Sequence, residues 1–383
     1  MKLHTDYEKQ IIGRLDLSKD ISTEEIFSSI DEEIQKISKK TAMSITEREN
    51  LRTSIYHNIR ELGVLQELID DPDITEIMVN GTDGIFVEKK GKLLRVPQTF
   101  DSKEKLRQVI YRIVSDCNRV INDSSPIVDA RLKDGARVNA VLDPVALNGP
   151  ILTIRRFPDK PITMKDLINL GSLTEECCEF LKQEVAEGKN ILVSGGTGCG
   201  KTTFLNVLSN FIPSDQRIIT IEDSAELQIK NIPNIVKLET RNQNDTGCNE
   251  ITIRDLIKSS LRMRPDRLIV GEVRSKETID MLQAVNVGQS AMTTVHANSV
   301  RDVISRLETM VLMGMDIPLL AIRGQIASGI NLFIHLGRLE DGSRCVFEIA
   351  RPDGICDQNV VFRTIFKRTG EGLKFVEKEK TGK

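Results

Sequence analysis

Residues 195–202 read Gly195-Gly196-Thr197-Gly198-Cys199-Gly200-Lys201-Thr202, two glycines bracketing a four-residue gap with lysine and threonine directly after. A loop of that spacing curls so that successive backbone N–H groups point inward at phosphate oxygens, and glycine lets the backbone come that close. The apolar run Ile191-Leu192-Val193-Ser194 reads as a strand before the loop, and a helix follows from Thr202. The start of that helix adds a partial positive charge at the same point. Lys201 contributes an ammonium between the β- and γ-phosphates, the Thr202 hydroxyl suits Mg²⁺, and Thr203 completes the flank. A chance glycine turn would lack this strand–loop–helix context. These residues describe a site for the phosphates of ATP with Mg²⁺.

A phosphate cradle binds without hydrolysing. Hydrolysis needs a carboxylate at a neighbouring strand end to position water and help hold the metal. Two apolar runs end in such acids, Thr220-Ile221-Glu222-Asp223 and Leu268-Ile269-Val270-Gly271-Glu272. Both glutamates fall at the carboxyl edge of the expected sheet, where open α/β folds bind ligands. The duller reading of either is a solvated capping acid. His296, in Thr293-Thr294-Val295-His296-Ala297-Asn298, also follows a strand and is either a γ-phosphate sensor or a structural histidine. Upstream, Arg131, Arg137, Arg155 and Arg156 are either surface charge or a set aimed at the γ-phosphate from another domain or subunit.

The elements that must position these groups follow from periodicity. At about 100–200 residues per domain, 383 residues imply two domains or slightly more. Residues 1–62 read as a helical N-terminal module, because Ile26, Ile30, Ile34, Ile37 and then Leu51, Ile55, Ile59, Leu62 recur at helical spacing. Residues 63–150 read as a mixed α/β domain. It has a turn at Asp71-Pro72-Asp73, strands at 74–79, 85–88, 128–132 and 137–142, and a helix over 102–120 carrying Leu106, Val109, Ile110 and Ile113. Pro158 and Pro161 mark 151–161 as a linker. In 162–383, short β-branched strands at 191–194, 217–221, 236–238 and 267–270 alternate with helices, and 292–295 closes the series. That pattern predicts a parallel sheet covered on both faces. Runs at 332–336 and 345–349 around Asp341-Gly342 predict a hairpin, and the lysine- and glycine-rich tail after Phe366 is expected to fray.

Composition excludes several classes. Charged residues are 28%, hydrophobics 39% and the formal net charge is −3, which describes a soluble globular chain without a basic field. No run approaches the roughly 20 apolar residues of a membrane span, and the charged N-terminus has no signal core, so a cytoplasmic location is expected. Seven cysteines without a C-x-x-C pair, and only four histidines, fit a reducing compartment with free thiols rather than a zinc site.

Taken together, the motifs resemble the secretion/traffic ATPases of type II and type IV secretion and type IV pili, most nearly the CpaF-type branch that powers tight-adherence (Flp) pili. The resemblance covers about residues 70–350. It rests on Asp73-Ile74-Thr75-Glu76-Ile77-Met78-Val79-Asn80-Gly81, on Asp129-Ala130-Arg131-Leu132 with Gly135-Ala136-Arg137-Val138-Asn139, and on Thr153-Ile154-Arg155-Arg156-Phe157. It continues through the phosphate loop, the acidic box Ile221-Glu222-Asp223-Ser224-Ala225-Glu226-Leu227, the stretch from Leu261-Arg262 to Gly271-Glu272-Val273-Arg274, and Thr294-Val295-His296-Ala297-Asn298. It implies a homo-hexamer with nucleotide clamped between an N-terminal domain and a RecA-like P-loop C-terminal domain. Glu222 would polarise water, Glu272 would stand near the metal, and Arg137 and Arg155 would reach the γ-phosphate. The ring would drive a polytopic inner-membrane platform protein from the cytoplasmic face, so membrane association would run through partners.

Three departures stand out. Gln289 falls near a position where the family often has a first histidine, so a two-histidine sensor is not available; Cys199 replaces the usual serine or alanine; and the tetracysteine zinc insert of some relatives is absent. Cys199 is either a small tolerated side chain, the preferred reading, or a thiol of lowered pKa open to oxidation at the helix start. Two other functions compete with the secretion motor. One is a DNA-handling RecA-like motor, against which stand three tyrosines, no tryptophan and no basic stripe, so direct nucleic-acid contact is not expected. The other is a scaffold that binds ATP with little turnover, against which stand Glu222 and Glu272.

Overall fold

The computed structural model describes residues 22–39, 43–89, 91–132, 134–156, 161–241, 249–370 and 372–376, with residues 58–60 described by backbone alone. Residues 1–21 of the helical module, Lys133, 157–160 of the expected linker, Cys248 and 377–383 of the tail lie outside the described residues. The chain divides into two compact units, Met1–Asp159 and Lys160–Lys383.

In the first unit, helices Thr23–Ser38 and Ile45–Arg60 each open on a capping box, Ser22 with Glu25 and Ser44 with Glu47. Each serine hydroxyl accepts an amide of the first turn while the glutamate accepts the cap amide, which satisfies donors that a helix start leaves open. Their apolar stripes meet, and Ile26, Ile30, Ile34, Leu51 and Ile55 form a cluster of their own. Six strands follow: β1 (Ile74–Asn80), β2 (Gly84–Lys89), β3 (Lys92–Val96), β4 (Ile127–Arg131), β5 (Arg137–Val141) and β6 (Ile151–Arg155). They make an antiparallel sheet in the order β3-β2-β1-β6-β5-β4. Alternate residues turn to one face, where Ile77, Val79, Val138, Leu152 and Ile154 pack on Leu106, Ile110 and Ile113 of helix Lys103–Asp116.

Residues 151–155, expected as the start of a linker, are instead β6, paired with β1 on one side and β5 on the other. The arginines and prolines just beyond hid a strand whose partners lie far away in the chain. The helix expected over 102–120 stops at Asp116, because Asn118 turns left-handed (φ 53°) and the Arg119 N–H bonds back to the Val114 carbonyl at 3.0 Å.

The second unit holds one sheet of β7 (Ile191–Gly195), β8 (Ile218–Glu222), β9 (Ile235–Glu239), β10 (Arg267–Val270), β11 (Ser290–Val295), β12 (Leu332–Arg338), β13 (Arg344–Cys356), β14 (Asn359–Thr369) and β15 (Gly372–Phe375). The order is β15-β14-β13-β12-β7-β11-β10-β8-β9. Neighbours from β12 to β9 are parallel, and those from β12 to β15 antiparallel. The central strands β7, β8, β10 and β11 are buried on both faces, which is why they read as nearly unbroken apolar runs. Val193, Phe204 and Ile269 belong to one core, and Leu192, Ile219 and Leu307 to the other.

Two expectations for this unit are corrected. β11 does not close the parallel series, since β12 joins the other side of β7. The chain after Phe366 pairs rather than frays as far as Phe375, whose ring meets Phe366 edge-on at 5.2 Å. No helix among the described residues is long and apolar enough to cross a membrane.

The place of β6 in the first sheet is testable. Ile154 is fully buried, so Ile154→Ala is expected to cost about 2–4 kcal/mol, read by chemical denaturation followed by circular dichroism. A change under about 0.5 kcal/mol, the usual effect at an exposed linker position, would contradict that placement.

Candidate active site

Strands β7, β11, β10 and β8 are neighbours in that order and parallel, so their carboxyl ends line one edge. The edge receives the phosphate loop after β7, His296 after β11, Glu272 after β10 and Glu222 as the last residue of β8. Helix Lys201–Ser209 starts directly behind Gly200. Gly195 leaves no room for a side chain, because a Cβ there would stand 2.5 Å from both Cys199 Sγ and the Leu336 carbonyl oxygen. Gly196, Thr197 and Gly198 are exposed along the loop, while Thr202 and Thr203 lie half-buried in the first helical turn.

Lys201 is only 7% exposed. Its Nζ donates to the Gly195 and Gly196 carbonyls at 3.1 and 3.0 Å and lies 3.3 Å from both ring nitrogens of His296. Burial pulls the Lys201 ammonium below the ordinary lysine pKa, while Cys199 and Glu272 act in the opposite direction. Burial also lowers the His296 pKa against the pull of Glu272. That shift favours the neutral imidazole, which can accept a hydrogen bond from Lys201.

Glu272 completes this line. Its Oε1 is 3.2 Å from His296 Nε2, and its Oε2 accepts from Arg274 Nη2 at 3.0 Å. The contact with His296 is out of line, so Oε1 is a buried acceptor without a hydrogen bond. Arg274 Nη1 also lies 3.5 Å from Asp223 Oδ2 and thereby bridges the ends of β8 and β10. The Thr294 hydroxyl donates to the Gly271 carbonyl at 2.8 Å and the Val273 N–H to the Thr294 carbonyl at 3.0 Å. Those two bonds fix Glu272 relative to His296. Arg274 entered the sequence reading only as part of a motif. Its signal was the alternation Glu272-x-Arg274 at a strand end, which sets two side chains on one side of an extended segment.

Glu222 is placed differently. It is 3% exposed, and its Oε1 accepts the Glu226 and Leu227 N–H groups at 2.9 and 3.1 Å. The carboxylate thus holds the turn of the acidic box from within. Cys199 departs from the low-pKa reading. It is buried, and burial raises its thiol pKa by more than Lys201 and the loop amides lower it. Gln289 precedes β11, at the opposite end of that strand from His296, and donates to the Pro265 carbonyl at 3.0 Å.

The structure brings Lys201, His296 and Glu272 into contact. Arg137 and Arg155 belong to the first unit, where they stand directly across from each other on β5 and β6, with Arg131 opposite Arg137 on β4. Arg156 serves the fold, donating to the Asp71 and Ile74 carbonyls at 2.7 and 3.3 Å. Among the described residues, no group of three or more His, Cys, Asp or Glu side chains gathers as a metal site.

Comparison with known proteins gives this arrangement a setting. Residues 58–360 match the family described as Type II/IV secretion system protein. An uncharacterized protein of Methanocaldococcus jannaschii is 41% identical over 270 residues, which are 68% of this chain and 37% of that longer protein. A putative conjugal transfer protein of Mycobacterium tuberculosis is 33% identical over 312 residues, covering 78% of this chain and 88% of that one. The pilus retraction motor PilT, solved with bound ADP, shares the fold with a TM-score of 0.58 at 21% identity, over 76% of this chain and 83% of that structure. A matched segment that runs through both units, a RecA-like fold and a complete phosphate loop lead to one conclusion: the chain belongs to the type II/IV secretion system protein family and is a P-loop ATPase.

Proposed function

We propose that this chain is a homo-hexameric ATPase of the CpaF type, peripheral at the cytoplasmic face of the membrane, that uses Mg·ATP to power pilus assembly or protein secretion through a polytopic platform protein. One observation carries the catalytic part. Lys201, His296 and Glu272 come from three neighbouring strand ends and touch in series, at 3.3 and 3.2 Å. Membership of the family and the CpaF-like motifs support the hexamer and the platform partner.

The chemistry assigns a role to each residue. Loop amides, the helix start and the Lys201 ammonium hold the β- and γ-phosphates. The buried Oε1 of Glu272, an acceptor without a hydrogen bond, and the Thr202 hydroxyl would supply hard oxygens to hold Mg²⁺. The metal they hold would offset negative charge on the phosphates. Glu272, oriented by Arg274, aligns the attacking water. His296 lies between ammonium and carboxylate, so a shift of Lys201 toward a γ-phosphate is felt at Glu272. Glu222 holds the turn of the acidic box, its Oε1 accepting two amides. Arg137 and Arg155 are assigned to the γ-phosphate on the family likeness of their motifs.

A DNA-handling motor is the second reading, and the relative described as a putative conjugal transfer protein favours it. The net charge of −3, three tyrosines and absence of tryptophan favour a protein machine. Salt-sensitive stimulation of turnover by single-stranded DNA would replace the first reading with the second.

Phosphate-release assays and fluorescent-nucleotide titrations test the roles. Lys201→Ala is expected to abolish turnover, and Glu272→Gln to keep binding while losing about 10²–10³-fold in kcat; unchanged hydrolysis in both would defeat the motor. Glu222→Ala would leave the Glu226 and Leu227 N–H groups without their acceptor. It is expected to cost about 1–3 kcal/mol in a denaturation experiment, and an unchanged midpoint would remove its structural role. Arg137→Ala should lower turnover more than affinity, and normal hydrolysis by that variant would withdraw Arg137 from the site.

A further inference from the structure

Beyond the groups assigned above, a second cationic element stands beside the phosphate loop, contributed by the hairpin of β12 and β13. β12 runs parallel to β7, with Leu336 in register with Gly195, so its last residue, Arg338, arrives beside the loop. There its Nε and Nη2 both donate to the Gly198 carbonyl, at 3.2 and 2.8 Å. Among the described residues Arg338 makes no ion pair, and this carbonyl takes the Nε and Nη2 side of its guanidinium. Gly198 is shaped for the contact. Its φ is +68°, and a Cβ there would stand 2.7 Å from Arg338 Nη2.

We propose that Arg338 is a positioning residue for ATP, which sets the phosphate loop by holding the Gly198 carbonyl outward. The reasoning is one of peptide geometry. The carbonyl of Gly198 and the N–H of Cys199 belong to one planar trans peptide and point in opposite directions. Fixing the oxygen on the outside therefore fixes the Cys199 N–H on the inside, where phosphate oxygens are gathered. The Cys199 N–H does point across the loop, reaching the Gly196 carbonyl at a long 3.5 Å. An amide so weakly engaged is ready to exchange that partner for a phosphate oxygen. Arg344 strengthens the case. It is the register partner of Arg338 across the hairpin, and its Cδ would lie 3.6 Å from a Cβ on Gly200. Two guanidinium groups directly across adjacent strands repel, and a carbonyl on one side with anionic phosphates on the other offset that repulsion. The hairpin thus flanks Gly198 and Gly200 with positive charge from the same subunit.

This inference rests on the ATP-site reading above, and steady-state kinetics with Mg·ATP separates the two. Arg338→Ala is expected to raise KM about tenfold, equivalent to ~1.4 kcal/mol, with kcat within about twofold of wild type, the pattern of lost uniform binding. Arg338→Lys keeps the charge and one donor and should hold the rise in KM to about threefold. A merely structural arginine would lower kcat and thermal stability together, without rescue by lysine, and that result overturns the proposal. So does a KM for Arg338→Ala within about twofold of wild type when Lys201→Ala is inactive; if Lys201→Ala turns over normally, the ATP-site reading itself falls. Should Arg338→Ala not fold, Arg338→Lys decides alone, and a KM equal to wild type counts against the role.

Discussion

A buried ammonium is the constraint around which the second unit is organised. Taking a lysine out of water is costly unless its charge finds partners. Lys201 finds two carbonyls of its own loop and an imidazole from the neighbouring strand. That solution requires the loop to curl tightly, which is why Gly195 tolerates no side chain against Cys199 and Leu336. It also requires β7 to be held on both sides, and β11 and β12 do so. The same charge that must be satisfied within the protein is the one a nucleotide's phosphates can claim.

The rest of the site follows from strand order. Residues far apart in sequence become neighbours because β7, β11, β10 and β8 lie next to one another and point the same way. Side chain-to-backbone bonds then refine what the sheet provides. Thr294 latches β11 to the end of β10, Arg274 spans from β10 to β8, and Glu222 secures the turn beyond β8. Acids that look alike in sequence separate here by environment: Glu272 keeps a buried oxygen without a hydrogen bond, whereas Glu222 spends Oε1 on backbone amides.

Much of this was legible in the residues. The phosphate loop, the two acidic strand ends and His296 all follow local patterns, a glycine spacing or an apolar run that stops at a polar residue. The isoleucine stripes of the N-terminal helices were equally local, and they meet in one cluster. What escaped depends on partners distant in the chain. β6 alternates like any half-buried strand, but prolines after it read as a linker until β1 and β5 are seen on its flanks. The direction of β12 is not written in its own residues, so neither its place beside β7 nor the approach of Arg338 to Gly198 could be foreseen. For Cys199 the environment decides for the preferred reading, a small tolerated side chain, over the reactive thiol. A helix start favours a thiolate, but Cys199 is buried and burial wins.

The account is tested most directly by calorimetric titration of the intact wild-type protein with a slowly hydrolysed Mg·ATP analogue. Saturable binding is expected, with a share of the affinity lost when the γ-phosphate is removed by titrating Mg·ADP instead. Absence of binding heat for both nucleotides, at protein concentrations high enough for ring assembly and at more than one temperature, would contradict a nucleotide site built on the 195–202 loop.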